Sequence, residues 1–271
     1  MPIRVCRKTV RMTTAELLKS IRSLVAYHKS CGVHHYRRSD SLDAGLRFLE
    51  TVGAEEQSQA IKAVDSPPVD MTSAAPPLGT GTVTIDELAA EIETCRLCEL
   101  WQTRSVSTPG KGGPHPALLV VGEWLEHNPE ETGKALFGEQ QDLMLSRMIA
   151  AIRLRSSEVF ITNLIKCSVV ESGRPDAAQI ATCLGYLKQQ IGVLAPRVIV
   201  TMGTTTSQAL LGSSRPLIAL RGRFHQFQVS DGAQIPLMPT FHPTYLLKNP
   251  EMKQPTWNDL QAVKKKLEEA P

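Results

Sequence analysis

Four of the six cysteines form a pattern that can do chemistry. Cys95 and Cys98 are two residues apart, Cys167 follows after 68 residues, and Cys183 after a further 15. Four thiolates suit either tetrahedral zinc or an iron-sulfur cluster, and the spacing does not separate the two. A disulfide framework fits poorly with a chain expected in the cytoplasm, where thiols stay reduced. Cys6 and Cys31 lie outside the pattern and read as free thiols.

Three polar residues stand in motifs of their own. Glu123 lies in Val121-Gly122-Glu123-Trp124-Leu125-Glu126-His127, Asn163 in Ile161-Thr162-Asn163-Leu164-Ile165-Lys166-Cys167, and His242 in Phe241-His242-Pro243-Thr244-Tyr245-Leu246-Leu247. A carboxylate can hold a water or offset developing positive charge, and an imidazole can stabilise a departing anion. An amide presents a donor and an acceptor together, which matches the edge of a pyrimidine. Each also has an ordinary reading, Asn163 as a turn former at a strand end and His242 as a structural side chain. Arg221 and Arg223 flank a glycine in Leu220-Arg221-Gly222-Arg223-Phe224-His225, which suits successive phosphates and equally a solvated loop.

The elements that must position these residues follow from periodicity. Apolar, β-branched runs predict strands at 117–121, 159–162, 198–201 and 235–239, and helical spacing predicts helices near 140–154, 177–194, 204–211 and 256–268. Thr84-Ile85-Asp86-Glu87 is a capping box that opens a helix running toward Cys95. Buried strands alternating with helices define an α/β fold with a central, mostly parallel, four-stranded sheet flanked by helices. Glu123, Asn163 and His242 all fall at or just past predicted strand ends, where such sheets collect ligands, so one shared site is expected.

Composition bounds the rest. The chain has 271 residues and 42% hydrophobic content, ample for a buried core, and contains no run of about 20 apolar residues that could cross a bilayer. The formal charge of +3 sits entirely before Thr84, because 19 Lys/Arg and 19 Asp/Glu balance from there onward. Any nucleic-acid contact must therefore use a local patch. Residues 1–63 read as a helical extension, with an amphipathic helix through Leu17, Leu18, Ile21, Leu24 and Val25 and a second over 43–51. The Pro/Gly/Ser-rich stretch 64–83 reads as a linker, and 84–271 as the main domain. Residues 1–12 are basic but lack the apolar segment of a secretory signal. A monomer is expected, with the extension capping the domain or recruiting an unknown protein partner.

Residues 84–271 resemble the family 4 uracil-DNA glycosylases. The resemblance is carried by Cys95-Arg-Leu-Cys98-Glu-Leu, Asn163-Leu-Ile-Lys-Cys167, Cys183-Leu-Gly-Tyr-Leu and the histidine motif, which differs from the family's His-Pro-Ala-Tyr-Leu-Leu only at Thr244. It implies a uracil-DNA glycosylase-like fold and a 4Fe-4S cluster on Cys95, Cys98, Cys167 and Cys183, most simply in a structural role. It also implies hydrolytic removal of uracil from a flipped nucleotide in base excision repair. Asn163 would then read the base, His242 would stabilise the uracil anion, Glu123 would hold the water or offset charge on the sugar, and Arg221 and Arg223 would contact DNA. No lysine is obviously placed for a Schiff base, so a monofunctional hydrolase is expected.

The first motif departs from the family. Where the family has a small residue, then Pro-Gly, this chain has Trp124, Leu125 and Glu126, and Leu136 replaces the stacking phenylalanine. Trp124 could reshape the pocket as a stacking face, point away from it, or block uracil. Phe137 could supply the missing ring if the turn shifts by one residue. The acidic residue that excludes thymine falls at Pro129, beside Glu130 and Glu131. Two alternatives therefore stand beside uracil excision: an iron-sulfur DNA-binding homologue without activity, and a glycosylase for another damaged base.

Overall fold

The computed structural model of the chain describes residues 83–126, 135–170, 173–230 and 232–269. The expected extension helices, residues 64–82 of the linker, and the loop with His127, Pro129, Glu130, Glu131 and Gly133 lie outside the described residues.

Strands β1 (Lys111–Gly112), β2 (Leu118–Gly122), β3 (Val159–Asn163), β4 (Val198–Met202), β5 (His225–Gln228) and β6 (Gln234–Thr240) form one sheet in the order β1-β3-β2-β4-β6-β5. The four central strands are parallel, as expected, and the sheet gains an antiparallel strand at each edge, β1 on β3 and β5 on β6. The sheet is thus six-stranded rather than four-stranded, because the edge strands carry weak sequence signals. β1 is two residues long, and β5 is His-Gln-Phe-Gln with only Phe227 buried.

Both faces of the sheet are covered, which is why the central strands read as unbroken apolar runs. Leu119, Val121, Phe160 and Ile199 face one core with Leu184, Leu187 and Ile191 of α4 (Ala177–Leu194). Leu118, Val120, Val159 and Val200 face the other, with Leu145 and Ile149 of α3 (Glu139–Ala151) and Leu260 and Val263 of α8 (Lys253–Glu269). The period of two along β2 assigns its side chains alternately to the two cores.

Short-range chemistry sets the helix bounds. The Thr84–Glu87 capping box opens α1 (Ile85–Thr94), and an Asp176–Gln179 box opens α4. Helices α2 (Leu100–Thr103) and α6 (Leu217–Leu220) are single turns, α5 covers Thr204–Leu211, and α7 covers Pro243–Lys248. Helix α7 starts with His242 as N-cap and a proline in its first turn, where a missing N–H has no consequence.

Candidate active site and thiolate centre

The carboxyl ends of the parallel strands bring the three motif residues to one edge. Gly122 pairs with Asn163 across β2 and β3, and Met202 pairs with Thr240 across β4 and β6, two residues before His242. The turn beyond β3 is laced to the end of β2, since Leu164 N–H donates to Gly122 O at 2.9 Å and Ile165 N–H to Glu123 O at 3.0 Å.

Asn163 is fully buried. Its Nδ2 donates to Leu136 O at 2.6 Å, while Oδ1 has no hydrogen-bond partner. His242 is also buried, and its Nδ1 accepts the Thr244 N–H at 3.2 Å. An accepting Nδ1 puts the imidazole proton on Nε2, which has no partner. Burial lowers the His242 pKa to about 4, so the ring is a neutral donor at physiological pH. A buried polar atom without a partner costs about 1–3 kcal/mol, and this site holds two of complementary character, an acceptor and a donor.

The ring of Phe137 packs against His242 and over Gly122. Its centroid is 4.9 Å from that of His242 at an interplanar angle of 43°. A Cβ added at Gly122 would come within 2.6 Å of both Phe137 Cζ and Asn163 Oδ1, so only glycine permits this approach. Leu136 and Phe137 are both buried in the core shared with α3 and α8, but Phe137 is the one whose ring meets His242. Trp124, half-buried, packs against the opposite core, which contains Cys167 and Cys183.

Glu123 is turned toward α5. Its Oε1 accepts the Thr205 N–H at 2.7 Å, in the first turn of that helix, and its side chain fills the space over Gly203, whose φ is +109°. Burial raises the Glu123 pKa; the Thr205 hydrogen bonds and the charge of Arg174 oppose that shift.

The two arginines of the Arg-Gly-Arg segment are employed differently. Arg221 forms a bidentate pair with Asp259 of α8, Nε to Oδ2 at 3.1 Å and Nη2 to Oδ1 at 2.9 Å, also donates to Pro255 O, and lies over the Phe241 ring. With its side chain 14% exposed, it braces the strand end that delivers His242. Thr240 joins the brace by donating to Asp259 Oδ2 at 2.6 Å. Burial raises the Asp259 pKa, while the Thr240 hydrogen bond and Arg221 hold it down. Arg223 is exposed, and its Nη2 reaches Ala219 O at 3.4 Å.

Cys95 caps the C-terminus of α1, Cys98 follows it, Cys167 lies on the turn after β3, and Cys183 is on α4; all four are free thiols. Among the described residues no three His, Cys, Asp or Glu close to the spacing of a single metal ion. The thiols nevertheless act on one another. Burial pushes up the pKa of Cys167, and the charges of Cys98 and Cys95 add to that shift. Burial takes Cys183 to about 11, with Cys98 and Cys167 contributing. Donors surround the set. Arg104 Nη1 lies 3.4 Å from Cys167 Sγ, and the Lys166 backbone N–H holds the Cys183 pKa down. An all-sulfur set with donors aimed at the sulfurs fits an iron-sulfur cluster.

Two residues of this region escape a reading of the sequence alone. Lys166 sits inside the asparagine motif and is 2% exposed, whereas an unpaired lysine is expected at the surface. Burial lowers its pKa to about 7, and Cys183 opposes that shift. Arg104 carries no motif of its own, and its contact with Cys167, 63 residues away, is visible only in the fold.

A parallel α/β sheet with buried polar side chains at its carboxyl edge and four thiols whose charges act on one another defines the class. Matching the uracil DNA glycosylase superfamily over residues 109–261, the chain belongs to that superfamily. It is 30% identical over 180 residues to a type-4 uracil-DNA glycosylase of Pyrobaculum aerophilum, covering 65% of this chain and 91% of that protein. A type-4 uracil-DNA glycosylase of Saccharolobus solfataricus is 29% identical over 191 residues, covering 69% of this chain and 88% of the relative. One from Sulfurisphaera tokodaii is 27% identical over 184 residues, covering 66% and 83%.

Proposed function

We propose that this protein is a monofunctional uracil-DNA glycosylase that removes uracil from a flipped nucleotide in base excision repair. The observation that carries the reading is the pair of partnerless buried atoms, Asn163 Oδ1 and His242 Nε2, at the carboxyl edge of the parallel sheet. Uracil supplies what both lack. Its N3–H donates to Asn163 Oδ1, its O4 accepts the second proton of Nδ2, and its O2 accepts from His242 Nε2–H.

Bond cleavage sends the electron pair of the N1–C1′ bond into the base, where charge gathers on O2 and meets the neutral imidazole donor. Water completes the reaction by bonding to C1′ and giving up a proton, which the departed uracil anion takes. Glu123, anchored through Oε1, uses Oε2 to hold that water or to offset the positive charge on the sugar. Phe137 stacks on the base in place of Leu136, and Arg223 contacts a phosphate. Lys166 donates its three protons to neighbouring oxygens, in keeping with a reaction that forms no Schiff base.

Cys95, Cys98, Cys167 and Cys183 hold a 4Fe-4S cluster in this reading. It ties α1 and α4 to the turn that follows Asn163, a structural service that leaves the hydrolysis to the protein's own residues. Residues 84–271 form the glycosylase domain of a cytoplasmic monomer, and residues 1–83 are dispensable for catalysis.

The burial of Phe137 favours a second reading. A ring packed over Gly122 and 4% exposed could close the base site, leaving a DNA-binding homologue without base release. Anaerobic purification, iron and sulfide analysis, and incubation with oligonucleotides carrying one uracil decide between the two. Alkali-labile strands support the glycosylase; tight DNA binding with intact strands and a full cluster supports the second reading.

A further inference from the structure

Lys166 heads the fully buried side chains by size, and its hydrogen bonds identify its charge state. Nζ donates to Thr162 Oγ1 at 2.7 Å, Asn163 O at 2.6 Å and Gln190 Oε1 at 2.6 Å. All three are committed acceptors. Thr162 gives its own proton to Pro109 O at 3.1 Å, Gln190 Nε2 donates to the same carbonyl at 2.6 Å and so turns Oε1 to the lysine, and Asn163 O is a backbone carbonyl. Three neutral acceptors around Nζ match the three protons of an ammonium, the form that these bonds stabilise against burial. A buried charge so placed is unfavourable unless an anion lies within reach.

The anion that bears on Lys166 is a sulfur. Lys166 precedes Cys167 in the chain and interacts electrostatically with Cys183. On the other side of the centre, Arg104 puts Nη1 at 3.4 Å from Cys167 Sγ and 3.2 Å from Ile92 O, so it joins the end of the helix carrying Cys95 to the third cysteine. Four thiolates around a dicationic four-iron core leave two negative charges. The chain therefore sets two cations against two surplus anions.

We infer that Lys166 and Arg104 are built-in countercharges of the cluster, positioning residues that raise its reduction potential and keep it assembled. The inference rests on the cluster reading above. Removing a cation beside a negative cluster disfavours the more reduced, more negative state, so the potential falls.

The test uses the full chain, purified anaerobically as wild type, Arg104→Lys, Arg104→Gln and Lys166→Met. Iron and sulfide per chain, reduction potential by voltammetry, and iron loss in air are measured for each. Wild type and Arg104→Lys should share one potential, whereas Arg104→Gln and Lys166→Met should shift negative and lose iron faster. Wild type without iron and sulfide overturns the cluster reading itself. A loaded cluster whose potential is the same in Arg104→Gln, or shifts equally in Arg104→Lys and Arg104→Gln, overturns the countercharge inference and leaves the cluster standing. Should Lys166→Met fail to fold, the Arg104 pair decides alone.

Discussion

The imidazole of His242 meets the ring of Phe137 at a centroid distance of 4.9 Å, with its Nε2 proton unclaimed. The Thr244 N–H on Nδ1 fixes that proton, and the short helix α7 fixes the ring, so a neutral donor is set before any base arrives. His242→Ala should slow uracil release by about 10²–10³-fold, the range for loss of one preorganised donor to a developing anion. Single-turnover rates check this, and an unchanged rate would remove His242 from the chemistry.

The neutrality of His242 has its own signature. Its folded pKa of about 4 lies below the ordinary 6.5, so as pH falls below 6.5 only the unfolded chain takes up the proton. The stabilising contribution is complete above pH 6.5 and is lost on descent toward about 4. Histidine-selective NMR between about pH 5.5 and 7.5 should show one imidazole that stays neutral, and His242→Gln should delete that signal. Titration of this ring near 6.5 would contradict the assignment.

Trp124 packs on the core that holds two of the thiols rather than beside Phe137. Trp124→Gly should therefore destabilise the protein by roughly 3 kcal/mol, through lost packing and added backbone freedom, without gain in uracil release. Thermal unfolding paired with the cleavage assay separates the effects. A faster, equally stable variant would mean that the indole obstructs the base.

The two arginines should part company. Arg223→Met should weaken DNA binding and reduce the salt slope by about one, the behaviour of a single phosphate contact. Arg221→Met leaves Asp259 buried and unpaired and should cost about 3–5 kcal/mol of stability. Salt titrations and denaturation curves of the two variants test this directly. Equal effects on DNA affinity with no loss of stability would restore Arg221 to the DNA surface.

Much of this arrangement is legible in the chain because local chemistry declares it. Thr84 and Glu87 announce the start of α1, apolar runs announce the four central strands, and the motif residues fall where those strands end. What escapes depends on distant partners. The Arg-Gly-Arg segment looks like a phosphate loop until Asp259, 38 residues onward, is seen to occupy Arg221. Leu136 aligns with the stacking position and Phe137 stands beside it, and only the fold shows that the ring of Phe137 meets His242. The burial of Lys166 follows from acceptors on β3 and α4, none of which marks it in the sequence.

The central claim is that Asn163 Oδ1 and His242 Nε2 receive a uracil. Its most direct test is the release of free uracil from a single-uracil oligonucleotide under single-turnover conditions, by cluster-loaded wild type, Asn163→Ala and His242→Ala. The account predicts release by the wild type and a loss of at least about tenfold in each variant. Intact substrate with fully loaded wild type, or release undiminished in both variants, would contradict it.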